Sequence, residues 1–148
     1  MQDLIEKYHF KKAGDLLLRS DGATPFFKLE SSFVDGEYAN IKSWVYLWVS
    51  VKGGKLNEVF YVGKAGRTLK ARCAQHQGGF IKSKTGQKHA EKIERFLNES
   101  LDNRLELHAR IAKNGEVLDE EGTSLCEAEE LAMITKLRRL NHKLWNKN

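Results

Sequence analysis

Residues 60–76, FYVGKAGRTLKARCAQH, begin as an aromatic and β-branched run and pass through a glycine-bearing turn at Gly63. They continue with Leu69, Ala71, Cys73 and Ala74 at helical spacing behind Thr68, a residue suited to cap a helix. Just upstream, SWVYLWVSV (43–51) and EVFYV (58–62) have strand composition, and the segment between them, KGGKLN, reads as a glycine turn. The stretch is therefore a β-hairpin whose second strand leads through a turn into a helix. That helix carries Lys70, Arg72 and His76, so cationic and proton-carrying groups are aimed off one strand end.

Working outward, FIKSKTGQK (80–88) reads as a basic polar loop, and HAEKIERFLNESL (89–101) as a second helix with Ala90, Ile93, Phe96, Leu97 and Leu101 on one face. RLELHARIA (104–112) alternates Leu105, Leu107, Ala109 and Ile111 with Glu106, His108 and Arg110, the period of a half-exposed third strand. NGEVLDEEG (114–122) reads as an acidic loop. From Ser124, a candidate cap, the spacing of Leu125, Ala128, Leu131, Ile134, Leu137 and Leu140 predicts a long C-terminal helix packed on the sheet. Upstream of the hairpin, residues 3–19 give an irregular amphipathic helix with a stop at SDGATP (20–25), FFKLESSFV (26–34) has the look of a short strand, and DGEYAN (35–40) that of a turn. The expected architecture is α/β in the α+β sense: a small three-stranded antiparallel sheet flanked by helices, with residues 1–40 an N-terminal helical and strand extension packed on a core of residues 41–148.

With 148 residues the chain supports one core of ordinary size, and no repeat or low-complexity run divides it. Its 25 Lys+Arg against 20 Asp+Glu give a formal charge of +5, which favours a polyanionic partner as well as plain solubility. Cys73 and Cys126 lie far apart, and no Cys/His pair has structural-zinc spacing. The N-terminus mixes charges among its apolar residues, so neither an export signal nor a membrane span is expected, and the implied setting is cytoplasmic and reduced.

Residues 43–148 resemble the GIY-YIG endonucleases, whose pattern places a Tyr in each strand of a hairpin and an Arg on the following helix. WVY (44–46) stands for the first triplet and YVG (61–63) for the second, LKAR supplies Arg72, and His76 follows one turn later. Farther on, ELAMI carries Glu130 and LWN carries Asn146. Each motif is short; their order on the right elements makes the resemblance specific. Trp44 departs from the family glycine, and GKAGRTLKAR is one residue longer than the usual turn. The bulk of the indole puts substrate fit in question more than chemistry.

The resemblance implies a metal-dependent endonuclease, restriction-type or phage-like, with the tyrosines positioning or deprotonating a water. Tyr46 is the expected base and Tyr61 its neighbour. A phenol with a pKa of about 10 needs a cation nearby to act at neutral pH, a part suited to Lys64, while Arg72 and His76 suit the phosphate oxygens. The family uses one Glu for the metal, here Glu130 with Glu127 as rival, holding Mg²⁺ or Mn²⁺; Asn146 would anchor the site. Lys64, Arg67, Lys70, Lys82, Lys84 and Lys88 are candidate DNA contacts, with Lys92 beside them. Taken singly, the tyrosines are ordinary strand residues, the lysines a solvated face, His76 a surface histidine and the Glu127–Glu130 cluster a helix-dipole partner. Competing readings are a non-catalytic nucleic-acid-binding module and a structure-specific repair or recombination nuclease directed by a partner through residues 1–40; a homodimer fits double-strand cutting.

Overall fold

The central hairpin owes its geometry to a two-residue turn. In the computed structural model, which describes residues 1–146, β3 (Trp44–Lys52) and β4 (Lys55–Ala65) are joined by Gly53 and Gly54 at φ +57° and +78°, a conformation open to glycine and favoured between twisted strands. Lys55–Asn57 thus belong to the strand rather than to the turn. Alternation along β3 divides the core: Trp44, Tyr46 and Trp48 face one side with Phe33, Leu69, Phe80 and Ile93, whereas Val45, Leu47 and Val49 face the other with Ile5, Phe10, Ile134 and Leu137.

The sheet has five strands in the order β2-β1-β5-β3-β4, all antiparallel, not three. The additional strands come from the N-terminal extension. Helix α1 is confined to Gln2–Lys7 and ends where His9 takes φ +61°; Lys11–Leu18 then forms β1 and Pro25–Leu29 forms β2, followed by the short α2 (Ser31–Val34). The expected helix over 3–19 loses to tertiary pairing, because β1 is laddered to β2 on one side and to β5 (Arg104–Ile111) on the other. At the bulge beside Gly14 the neighbouring strand comes so close that a Cβ would stand 2.4 Å from the Lys28 carbonyl oxygen.

Being paired on both edges, β5 is buried on both faces rather than half exposed: Glu106 is 7% and His108 5% exposed, and they bond to each other at 3.0 Å. The presumed basic loop at 80–88 is helical. α3 (Leu69–Lys82) and α4 (Lys84–Glu99) are separated by Ser83 alone, whose Oγ accepts from Gly86 N at 2.9 Å and caps α4. The acidic stretch is a hairpin, β6 (Asn114–Val117) and β7 (Glu120–Ser124), turned by Leu118 and Asp119 at positive φ. Helix α5 (Cys126–Arg139) buries Cys126, Met133, Ile134 and Leu137, leaving Leu131 and Leu140 exposed, as is Leu101 beyond α4. Ser124 Oγ does meet the start of α5, accepting from Cys126 N. Helices thus cover both faces of the sheet, and among the described residues no helix is long and apolar enough to cross a membrane.

Candidate active site at the free edge of the sheet

Edge strand β4 would present unpaired main chain to solvent, but the residues after α5 turn back along it. Asn141 at φ +67° ends the helical course; Val59 N then donates to His142 Nδ1, Lys143 N to Glu58 Oε1, and Trp145 N to Phe60 O. Asn146 completes the strap with both ends of its amide on one residue: Nδ2 donates to Val62 O at 2.7 Å, and Oδ1 accepts from Val62 N at 2.9 Å. Val62 lies between Tyr61 and Gly63, so the strap fixes the part of β4 that carries the motif.

The register sets Tyr46 against Gly63 and Trp48 against Tyr61. Gly63 is required by close approach: a Cβ there would stand 2.1 Å from Tyr46 Cζ and 2.3 Å from its hydroxyl. The phenol therefore lies across the only glycine of β4 and reaches His76, with Oη and Nε2 2.6 Å apart. Thr68 Oγ1 accepts from Ala71 N and starts α3, which projects Arg72 and, one turn on, His76 toward the tyrosines.

Burial dominates the acid–base state of these groups. It holds the Tyr46 phenol well above the ordinary tyrosine range, with Tyr61 adding to the effect and Arg72 opposing it. Tyr61 is raised by burial too, lowered in part by Arg72 and raised by Glu130. His76 is pushed down to about 3, first by burial and then by the positive charge of Arg72, so its ring is neutral at neutral pH. Glu130 is raised by burial, with Lys64 opposing, Glu127 adding and Arg72 opposing. Arg72 on α3 and Glu130 on α5, helices on opposite faces of the sheet, therefore both act on Tyr61 at the β4 edge. Arg72 donates to Gln75 Oε1 at 2.8 Å and makes no ion pair among the described residues.

The cation beside the phenols is Arg72 and not Lys64. Lys64 points to the α5 side, where its Nζ is 3.1 Å from Glu127 Oε1. Glu129 is taken up elsewhere, by Arg110 at 2.9 Å and the Lys113 amide at 2.7 Å. Of the candidate cations, Arg67 and Lys70 are exposed where β4 passes into α3, beside the site. Lys82 is exposed at the far end of α3, about 15 Å along the helix from Arg72 at 1.5 Å per residue, and Lys84 and Lys88 are exposed in the first turns of α4 that follow.

His89 belongs to this cluster although its residue type gave no indication of it. It is buried on α4 with its ring 5.2 Å from that of Tyr61 and 5.7 Å from that of Trp48, and it adds to the depression of His76. Its spacing from Ile93 and Phe96 places it on the apolar face of α4, a signal legible in the sequence. Cys73, its thiol pushed up to about 12 by burial, is an inert neighbour.

Among the described residues, no group of three or more His, Cys, Asp and Glu could hold a metal ion. A closed protein cage is thus absent from them. A hard hydrated cation needs less, one or two carboxylates with waters and a phosphate, and Glu130 with Glu127 one turn away on α5 fits that donor set.

The sequence matches no protein-family model and no curated protein. The fold is similar to that of a Glu-to-Ala variant of bacteriophage T4 EndoII, at a TM-score of 0.65 and 20% identity over 93% of this chain and 95% of that one. It is also similar to restriction endonuclease HPY188I in complex with product DNA, at a TM-score of 0.51 and 14% identity over 95% of this chain and 80% of that one. Both likenesses establish the shared fold, an antiparallel sheet flanked by helices.

Proposed function

We propose that this chain is a DNA endonuclease of the GIY-YIG kind, hydrolysing phosphodiester bonds with a divalent metal ion, Mg²⁺ or Mn²⁺. The observation that carries this reading is the convergence, at one free sheet edge, of a hydrogen-bonded Tyr46–His76 pair, Tyr61, an Arg72 without an ion-pair partner and the partly buried Glu130. Its support is that the fold is shared with a phage EndoII and a restriction endonuclease.

In this reading Arg72 holds the scissile phosphate, its planar charged fork suited to two non-bridging oxygens and to the charge that develops on them. Tyr61 borders the same space. Tyr46 does not work as a free phenolate, since burial opposes one; it accepts a proton from water only while passing its own to His76 Nε2, 2.6 Å away. A bound phosphate assists by offsetting the Arg72 charge, one of the causes that depress His76. Glu130, or Glu127 once released from Lys64, would hold the metal, which when bound activates water and offsets negative charge on oxygen. Asn146 keeps β4 in register beneath this chemistry, and Arg67 and Lys70 extend the cationic surface along the DNA backbone.

The test is cleavage of supercoiled and branched DNA with Mg²⁺, with Mn²⁺ and with EDTA, comparing wild type with Arg72→Ala. Metal-dependent products that fall by roughly 10²–10³-fold in the variant are expected, the usual loss for a group stabilising developing charge. Discrete fragments identify a restriction-type enzyme, and a preference for branches a structure-specific one. Salt-dependent binding with no products in any metal would instead establish a non-catalytic module, a reading favoured by the 1% exposure of Tyr46.

A further inference from the structure

Away from the free edge, the same end of the sheet holds a second feature. A cavity of about 270 Å³ opens where β1 and β3 begin and β5 ends. Its inner wall is aromatic: the Phe33 ring is 4.9 Å from Tyr38 and 5.5 Å from Trp44, with Tyr38 and Trp44 edge-to-face at 6.2 Å. Its mouth carries the charges of Lys11 and Lys113, both exposed and in no ion pair among the described residues, with His9 beside them; Lys11 Nζ lies 2.6 Å from Tyr38 Oη and 5.0 Å from its ring centroid. Among the described residues no Asp or Glu lines the cavity itself; outside it, Glu37 acts on the charge of Lys11. An apolar aromatic slot with two lysines at its mouth matches a ligand with a flat aromatic body and an anionic tail.

The approach to this slot is cationic as well. From β4 to β1 the sheet end carries Arg67, Lys42, Lys113 and Lys11, all exposed, across three strand intervals of about 4.8 Å each. Trp44 stands two residues before Tyr46 on the same face of β3, so slot and active site share one strand. The indole where the family pattern has glycine is therefore a wall of this slot: buried to 1% exposure, with its Nε1 donating to Ile41 O at 2.8 Å.

We infer that the slot formed by Phe33, Tyr38 and Trp44 beneath Lys11 and Lys113 is a nucleotide subsite, taking an unpaired base and its phosphate from the DNA strand that runs along this end of the sheet to the active site. The base stacks on Tyr38, the half-buried ring of the wall, with the buried Phe33 and Trp44 packed behind it, and the phosphate is met by the two lysines. The subsite rests on the nuclease reading for its role, but not for its existence.

Titration of ¹⁵N-labelled protein with dAMP, with deoxyribose 5-phosphate and with inorganic phosphate tests it without any cleavage. The expected result is saturable shifts at the Trp44 indole and at the Tyr38 and Ile111 amides with dAMP, weaker ones with the sugar phosphate and least with phosphate. Tyr38→Ala is expected to weaken dAMP binding by roughly 5- to 100-fold, the loss of one base–aromatic stack. Lys11→Glu, at an exposed position, weakens it with the remaining spectrum unchanged, so that a fold loosened by Tyr38→Ala does not decide the matter. Equal shifts with phosphate and dAMP, no shifts at the aromatic wall, or unaltered binding in Lys11→Glu would overturn the subsite. A chain that binds dAMP here yet cuts no DNA would sink the nuclease reading and leave the subsite standing; one that cuts DNA but shows no dAMP shifts would do the reverse.

Discussion

Two histidines lie within hydrogen-bonding reach of a partner on opposite faces of this sheet, and their surroundings treat them differently. On the α1/α5 face, His108 bonds to Glu106 at 3.0 Å, and Glu106 is also met by Lys12 at 3.4 Å and Arg104 at 3.6 Å; Lys12 reaches Asp15 as well, at 3.3 Å. Burial lowers His108 while Glu106 opposes it, so the ring is neutral and the contact is a hydrogen bond within a network whose charges answer one another. On the α3/α4 face, His76 has a phenol for a partner, and neither Arg72 beside it nor Glu130, which acts on Tyr61 from α5, makes an ion pair among the described residues. A network that pairs its charges internally stabilises a fold, here with one buried imidazole nitrogen, His108 Nδ1, left without a partner among the described residues. A set whose guanidinium and partly buried carboxylate form no ion pair among the described residues has something to offer a ligand.

The sharpest way to break this contrast is Tyr46→Phe, which keeps the ring and removes the hydroxyl on His76. Cleavage per folded molecule measured under single-turnover conditions should fall by roughly 10²–10⁴-fold, the range for a lost proton-transfer group, beside a stability loss of about 1–3 kcal/mol for the buried His76 nitrogen left without its partner. Wild-type cleavage in this variant would remove Tyr46 from the chemistry. Next comes Gly63→Ala. Its methyl would stand 2.1 Å from Tyr46 Cζ, so the phenol must move, and destabilisation of about 1–3 kcal/mol is expected for overpacking at such a site. Activity per folded molecule should fall farther than that, because the displaced ring leaves His76; equal cleavage by folded variant and wild type would separate the ring's position from its function.

For the closed network the expectation reverses. Glu106→Ala leaves His108 without its acceptor and should cost about 1–3 kcal/mol in urea denaturation, with cleavage per folded molecule unchanged. A variant that keeps its stability and loses activity would show the back face to be functional. Last comes the pH dependence that both faces share. In the unfolded chain an imidazole binds its proton near pH 6.5, but His76 stays neutral in the fold until about 3, and His108 and His142 are also lowered. The unfolded state therefore binds more protons, and stability should fall as pH drops from about 6.5 toward 3. His76→Phe, which suits the rings of Phe27, Trp48 and Phe80 around that site, should flatten part of this fall. An unchanged slope would contradict the burial of His76.

What the sequence made legible follows from where the determinants are local. The hairpin, the Thr68 cap and the order of Tyr46, Tyr61, Arg72 and His76 depend on neighbours within a few residues, and the structure brings these side chains together. Of the two N-terminal strands, the one expected within 26–34 is present but stops at Leu29, whereas Lys11–Leu18 was missed because it is extended by pairing with β5, some ninety residues away, and no pattern within the segment records that partner. Glu106 and His108 alternate with leucines as they would in a strand with one wet face; their mutual bond, which makes burial tolerable, is invisible to a count of polar residues. Lys64 is displaced from the phenols by an alternation that sequence does record: it follows Gly63 by one residue and so points away.

The most direct test of the central claim is Glu130→Ala, assayed for DNA binding by fluorescence anisotropy and for plasmid cleavage in Mg²⁺. If the free edge is the catalytic centre, binding is retained and cleavage falls by at least about 10²-fold. Full cleavage in that variant, with the same metal dependence as wild type, would contradict it.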